Sequence, residues 1–214
     1  MNVAPQKHSP MKLETIMLPR DDTLHACFLG KNVQLAFVLK DLDAALRYWT
    51  EALKVGPFVV IEKSRGDRKI LHRGLETEVD WSLAFAYMGD VQIEFIYPLN
   101  DAPSIYKEFL DSGREGLHHV AYWPENFEAA CAHLEANGFT DVCSFYMKDG
   151  TRNVVYYETP AHFGAMVEVV PLTAERTAYF SRIKRLSQNW DGITRPIRRF
   201  VDRAAFLASG EGAE

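Results

Sequence analysis

Short apolar runs separated by stretches of helical spacing mark the chain between residues 33 and 170, and the same succession occurs twice. The first copy opens with an apolar run predicting a strand over 33–39. It leads into Leu42, Ala45, Leu46, Trp49 and Leu53, which share one helical face. Asp41 predicts the N-cap of that helix, because its carboxylate can accept from a first-turn N–H that has no partner within the helix. Gly56 stands where a left-handed C-terminal cap would close it. Strands are predicted next over 58–63, 81–88 and 91–97. The second copy follows suit: a strand over 118–123, a helix capped by Asn126 with Phe127, Ala130, Cys131 and Leu134 on one face, and Gly138 as its closing cap. Strands over 140–147, 153–158 and 165–170 complete it. The order is β-α-β-β-β, twice.

The repeat is visible in identities as well as in pattern. At an offset of 85 residues, Gln34 falls on His119, Ala36 on Ala121, Phe37 on Tyr122, Asp41 on Asn126, and Ala44 and Ala45 on Ala129 and Ala130. At an offset of 74, Glu94 falls on Glu168 within matching apolar runs. The expected organisation is an N-terminal extension over 1–30, one βαβββ module over 31–98, a connecting segment over 99–115, a second module over 116–171, and a helical C-terminal tail over 172–214. The connecting segment predicts a turn and a short helix over 105–110. The tail predicts a helix over 173–186, a turn over 190–196, a last helix over 196–207 and a frayed end over 210–214. The fold class is α+β, two tandem modules forming a metal-binding cleft.

Related modules pack about a pseudo-twofold axis, so equivalent positions meet near it. Four polar residues at such positions interrupt apolar strands: Gln34 with His119, and Glu94 with Glu168. A single strand glutamate reads most simply as a residue facing solvent. Two at matching positions, joined by an imidazole and an amide at another matching pair, point to a shared partner, because a buried carboxylate without one is costly. Three oxygen ligands and one nitrogen suit a divalent ion such as Zn, Mn, Co, Ni or Fe.

Composition narrows the function classes. The 214 residues are 47% apolar with a net charge of −5, which predicts a packed globular protein and argues against general nucleic-acid binding. The charge is uneven: the segment 172–203 is +5 and the remainder −10. This fits an amphipathic helix, a subunit contact or an anion site, and it motivates the expectation of a homodimer. No apolar run is long enough for a membrane span, and residues 1–8 lack a signal-peptide core. Cys27, Cys131 and Cys143 show neither CxxC spacing nor even number, so they read as thiols of a cytoplasmic protein. No P-loop, GxGxxG or GxSxG motif is present.

With these residues in place, the chain resembles the vicinal oxygen chelate superfamily over about residues 32–171, a group that includes glyoxalases, methylmalonyl-CoA epimerases, extradiol dioxygenases and bleomycin-resistance proteins. The resemblance implies a metal held by one residue from the first strand and one from the last strand of each module, which are Gln34, Glu94, His119 and Glu168. Gly116 to Val120 and Pro98 to Ser104 are similar to the epimerase branch. The ligand set instead resembles that of zinc-type glyoxalases, because epimerases usually carry histidine where Gln34 stands. The activity implied is metal-assisted proton transfer next to a carbonyl of a small organic substrate or thioester, by an isomerase, epimerase or lyase, with Glu168 as mobile ligand and base and Glu94 next. An extradiol dioxygenase would need histidine in place of Gln34. A non-catalytic binding protein of the resistance type normally lacks the ligands.

The resemblance does not extend to either named substrate. Glutathione-binding positions are occupied by Val38, Glu115 and Pro98, and the strand glutamate of epimerases is missing near residues 81–84, where Ser82 is the nearest polar residue. Of the remaining candidates, His118 is expected on the opposite strand face from His119, and His162 in a solvent-facing loop. Arg152 and Tyr157 are candidate pocket residues. His8, His25, His72 and His133 show no partner pattern.

Overall fold

The structure, a computed structural model, describes residues 28–213. The first module comprises β1 (Val33–Val38), α1 (Leu42–Glu51), β2 (Phe58–Ile61), β3 (Lys69–His72), β4 (Leu75–Glu76), β5 (Trp81–Met88) and β6 (Val91–Pro98). After α2 (Ile105–Asp111) come β7 (Gly116–Tyr122), α3 (Phe127–Ala136), β8 (Thr140–Tyr146), β9 (Arg152–Glu158) and β10 (Met166–Val169). The tail adds α4 (Ala174–Gln188), β11 (Ile197–Phe200) and α5 (Arg203–Ala208). The strands form one curved sheet in the order β11-β2-β5-β6-β1-β7-β10-β9-β8-β3-β4.

Its centre carries the pseudo-twofold. β1 and β7 run antiparallel with Gln34 opposite Ala121, the repeat-equivalent of Ala36, and Ala36 opposite His119, the repeat-equivalent of Gln34. Each first strand pairs in parallel with the last strand of its own module, β1 with β6 and β7 with β10. Strand alternation then separates two layers. Residues such as Leu35, Ile93 and Phe95 face α1, where Leu42 and Leu46 pack against them. Val155, Val167 and Val169 face α3 and its Phe127, Ala130 and Leu134. The opposite face, with Ala36, Val38, Ile96, Trp81, Phe145 and Tyr156, bends around a cavity. Burying each large side chain of the helix-facing layers contributes about 1.5–3 kcal/mol.

Both helix starts form as their sequences dictate. Asp41 accepts from the Ala44 N–H at 2.8 Å, and Asn126 from the Ala129 N–H at 3.0 Å. Gly138 has the expected positive φ of 86°, and the Phe139 N–H behind it bonds the Leu134 carbonyl at 3.2 Å. Gly56 does not act as the cap. Lys54 takes the left-handed conformation, at φ 56°, while Gly56 lies against Trp190, whose ring would be 3.1 Å from an added Cβ. Leu53 falls beyond α1 and is exposed.

Two further expectations are corrected. Residues 196–207 are not one helix: Ile197–Phe200 pairs in parallel with β2, and only Arg203–Ala208 is helical, capped by Asp202. Between β2 and β5 the chain also leaves its own module, and β3 pairs antiparallel with β8 of the second. Each module's outer edge is thus covered by a strand from elsewhere in the chain, which removes exposed ladder groups. α4 packs Tyr179 and Ile183 over Val59, Ile61 and Phe85, making the tail a wall of the fold.

Candidate functional site

Strand pairing places the four polar residues in two adjacent rows, each with one residue from either module. Glu94, Ala36, His119 and Met166 form one row across β6, β1, β7 and β10; Gln92, Gln34, Ala121 and Glu168 form the next. Ala36 and Ala121, both fully buried, set small side chains beside Glu94 and Glu168 in these rows. Gln34, Glu94 and Glu168 line a cavity of about 670 Å³, and His119 is fully buried beside them.

The carboxylates converge on His119. Its Nε2 lies 3.6 Å from Glu94 Oε2 and 3.3 Å from Glu168 Oε2, and one donor atom from each residue falls within 4.8 Å of the others. Despite this proximity, Nε2 makes no hydrogen bond. An ion bound about 2.1 Å from each of its ligands separates tetrahedral donor atoms by about 3.4 Å. The spacing and the orphaned, buried nitrogen therefore fit a divalent ion. Glu94, His119 and Glu168 could hold it, with Gln34 opening onto the same cavity.

Each first-strand residue is oriented by a neighbour. Gln34 Nε2 donates to Gln92 Oε1 at 2.6 Å, and Gln92 Nε2 donates to the Tyr87 hydroxyl at 2.9 Å. This arrangement commits the Gln34 nitrogen and leaves its oxygen for another partner. His119 Nδ1 lies 2.9 Å from His118 Nδ1, so one of the two imidazoles donates to the other. The expectation that His118 points away from His119 is corrected here. A bulge opposite Ala36 and Phe37 inserts His118 as an extra residue and turns it toward Tyr106 and Phe109. A bulge re-aims a side chain in just this way.

Electrostatics separate the neighbouring imidazoles. Burial, reinforced by the charge of His119, holds His118 well below the usual histidine value, so it is neutral. Burial also opposes a charged His119, but the close carboxylates of Glu168 and Glu94 outweigh it and raise its pKa to about 9. Burial raises Glu94 to about 7, with the Glu168 charge adding to the effect and His119 acting against it.

Around this floor the cavity is aromatic. Trp81, Tyr106, Phe145 and Tyr156 contribute from the sheet and α2, and the Tyr106 and Tyr156 hydroxyls lie 3.1 Å apart. Sequence reasoning placed Tyr157 and Arg152 here, but alternation aims Tyr157 at α3, where its hydroxyl donates to Glu135 at 3.0 Å. Arg152 sits over Phe127 among Glu128, Glu135 and Asp141. Tyr156 is the residue that period two puts in the cavity. Ser82 faces away and donates to the Glu62 carbonyl at 2.9 Å. His162 is exposed in its loop, as expected. The tail residues Arg176, Tyr179, Phe180 and Arg203 complete the wall, a contribution that no local motif announces.

Comparison with known proteins agrees with this architecture. No curated protein matches the chain by sequence. Methylmalonyl-CoA epimerase from Mycobacterium tuberculosis is similar in fold, with a TM-score of 0.51 at 18% identity over 72% of this chain and 96% of that one. A hypothetical protein from Bacillus halodurans C-125 has a TM-score of 0.49 at 17% identity over 67% of this chain and 94% of its own. Residues 33–157, more than half of the chain, match the family model described as the Glyoxalase/Bleomycin resistance protein/Dioxygenase superfamily. Paired modules, their central register and this match lead to one conclusion: the chain belongs to the glyoxalase/bleomycin resistance/dioxygenase group, the vicinal oxygen chelate superfamily.

Proposed function

We propose that the protein is a divalent-metal-dependent enzyme that moves a proton next to a carbonyl of a small organic substrate, as an isomerase, epimerase or lyase. The observation that carries this reading is the convergence of Glu94 and Glu168 on the unpartnered Nε2 of buried His119. Glu94, His119, Glu168 and Gln34 would hold the ion, drawn from Zn, Mn, Co, Ni and Fe. Once bound, the ion would polarise the substrate carbonyl and acidify the adjacent C–H.

The remaining chemistry falls to the chain. Glu168 takes the proton through a carboxylate oxygen and returns it to the substrate; Glu94 is the second candidate. A carboxylate against a cation is a weak base, so Glu168 would have to swing partly free, toward the cavity that it lines beside the small Ala121. Gln92 and His118 hold Gln34 and His119 in orientation. Trp81, Phe145 and Tyr156 exclude water from the reacting carbon.

Metal analysis of protein purified without an affinity tag tests the first step: a stoichiometric divalent ion is expected, and its absence after reconstitution overturns the reading. Oxygen consumption coupled to turnover would instead identify a dioxygenase. The homodimer is a separate proposal, checked by light scattering at micromolar concentration. Its charge argument is weakened because tail residues Lys184, Arg195, Arg198 and Arg199 pair within the chain, with Asp90, Glu211 and Asp43.

A further inference from the structure

Two guanidinium groups in the cavity wall have no carboxylate partner among the described residues. Arg68, in the loop between β2 and β3, is wedged between the Trp81 and Phe145 rings at 5.4 Å from each. Its Nε donates to the Arg65 carbonyl at 2.7 Å and one terminal nitrogen to the Ser64 carbonyl. Arg176, in the first turn of α4, gives one terminal nitrogen to the Pro171 carbonyl. Apart from the exposed Lys63, the other charged residues at the wall are already engaged: Arg203 pairs with Glu175 at 3.1 Å, Asp67 with Lys148 at 2.6 Å, Arg65 with Glu78 at 2.5 Å, and Asp202 caps α5.

Burial holds both guanidinium groups below the ordinary arginine value, with the nearby Glu168 charge acting in the opposite direction. For Arg176, the charges of Arg203 and Arg68 add to the effect of burial. Two half-buried cations facing one cavity are costly unless an anion joins them. Any ion on Glu94 and Glu168 would offset those carboxylates and leave Arg68 and Arg176 as half-buried cations in the cavity wall without a carboxylate partner among the described residues.

We propose that the cavity binds a small organic oxyanion, a carboxylate or phosphate on an apolar body, with the oxyanion on Arg68 and Arg176 and the body along Trp81, Phe145 and Tyr179. The inference rests on the cavity being the substrate site and deepens that reading by naming the substrate class. Arg176 comes from the tail, beyond residues 33–157 that match the family model, whereas Arg68 lies within them, in the loop between β2 and β3.

Calorimetric titration of the purified full chain tests the proposal with 3-phenylpropionate, benzyl phosphate, the neutral 3-phenylpropionamide and inorganic phosphate. At least one organic anion is expected to bind about tenfold more tightly than the amide. Carboxylate and phosphate arms show which head group is preferred. Arg176→Gln and Arg68→Gln should each weaken that anion about tenfold and leave the amide within about twofold. Because Arg68 also braces its loop, Arg68→Lys serves if the Gln variant fails to fold, and Arg176→Gln decides independently. Equal binding of acid and amide, equal losses for both, no anion binding at millimolar concentration, or inorganic phosphate binding as tightly as the organic anions would overturn the proposal. The titrations are repeated after chelation. Failure to take up a stoichiometric ion on reconstitution, with anion selectivity retained, sinks only the proton-transfer reading; a stoichiometric ion with selectivity lost sinks only this one.

Discussion

The first strand of each module carries a polar residue to the same cavity, and the two are held by different means. In the first module Gln34 is fixed by a neutral chain that runs through Gln92 to the Tyr87 hydroxyl. In the second, His119 is fixed by His118, which reaches it because β7 bulges by one residue. The backbone frame is nearly symmetric, with Gln34 opposite Ala121 and His119 opposite Ala36. The electrostatics are not. A duplicated fold can preserve the geometry of a site while its halves diverge in chemistry, because register is set by the backbone and donor type by single side chains.

The strongest break of this comparison acts on the glutamates. Glu168→Gln is nearly isosteric and keeps the strand, yet it removes the proposed base; turnover should fall about 10²–10⁴-fold, with weaker metal retention. Equal loss in Glu94→Gln would show that the two carboxylates share the proton transfer, and activity surviving both would end the proposal. Kinetics with a true substrate in D₂O measure it through exchange at the α-carbon.

Orienting residues should show a smaller, unequal effect. His118→Phe is expected to weaken metal binding about 10–100-fold, the usual range for a group that orients a ligating histidine. Gln92→Leu should cost less, because the amide it holds is neutral and its oxygen is a weaker ligand. Competition with a chromogenic chelator reads both; a larger loss in Gln92→Leu would reverse the assignment of roles.

Protonation gives a third contrast. His119 is raised from 6.5 to about 9, so its contribution to stability is present below pH 6.5 and lost as pH rises through about 9. Glu94 is raised from 4.5 to about 7, so its buried charge is absent below pH 4.5 and fully penalised above about 7. Both shifts make metal-free protein less stable at higher pH, and its Tm should fall by on the order of 5 °C between about pH 6 and 9. Saturating Zn²⁺ should reverse the trend, since the ion binds deprotonated ligands. Parallel thermal melts with and without chelator check this.

The smallest effect tests the symmetric part. Asp41→Ala and Asn126→Ala remove equivalent caps, and each should cost about 1 kcal/mol in denaturant unfolding. A difference well beyond that range would show that the two helices are not energetically equivalent.

How much of this was legible follows from the range of each interaction. Period-two and helical spacing, the caps at Asp41 and Asn126 and the repeat itself are local or register-bound signals. They located both modules and brought Gln34, Glu94, His119 and Glu168 to equivalent strand positions. His118 was misdirected because a bulge arises from how β1 and β7 pair, and simple alternation contains no such term. Gly56 was misread because its role is contact with Trp190, more than a hundred residues away. The strand at Ile197–Phe200 resembled a helix end until its ladder with β2 was formed.

By itself the sequence determined the β-α-β-β-β order, its duplication and the polar residues that interrupt its strands, because hydrophobic periodicity and capping act over a few residues. Only the tertiary structure decided which strands adjoin across the centre, that β3 crosses to the second module, and that the tail closes the cavity with Arg176 facing Arg68's side of it. Those outcomes depend on burying apolar faces and satisfying sheet edges between segments far apart in the chain, and such long-range pairings leave no periodic trace in either partner.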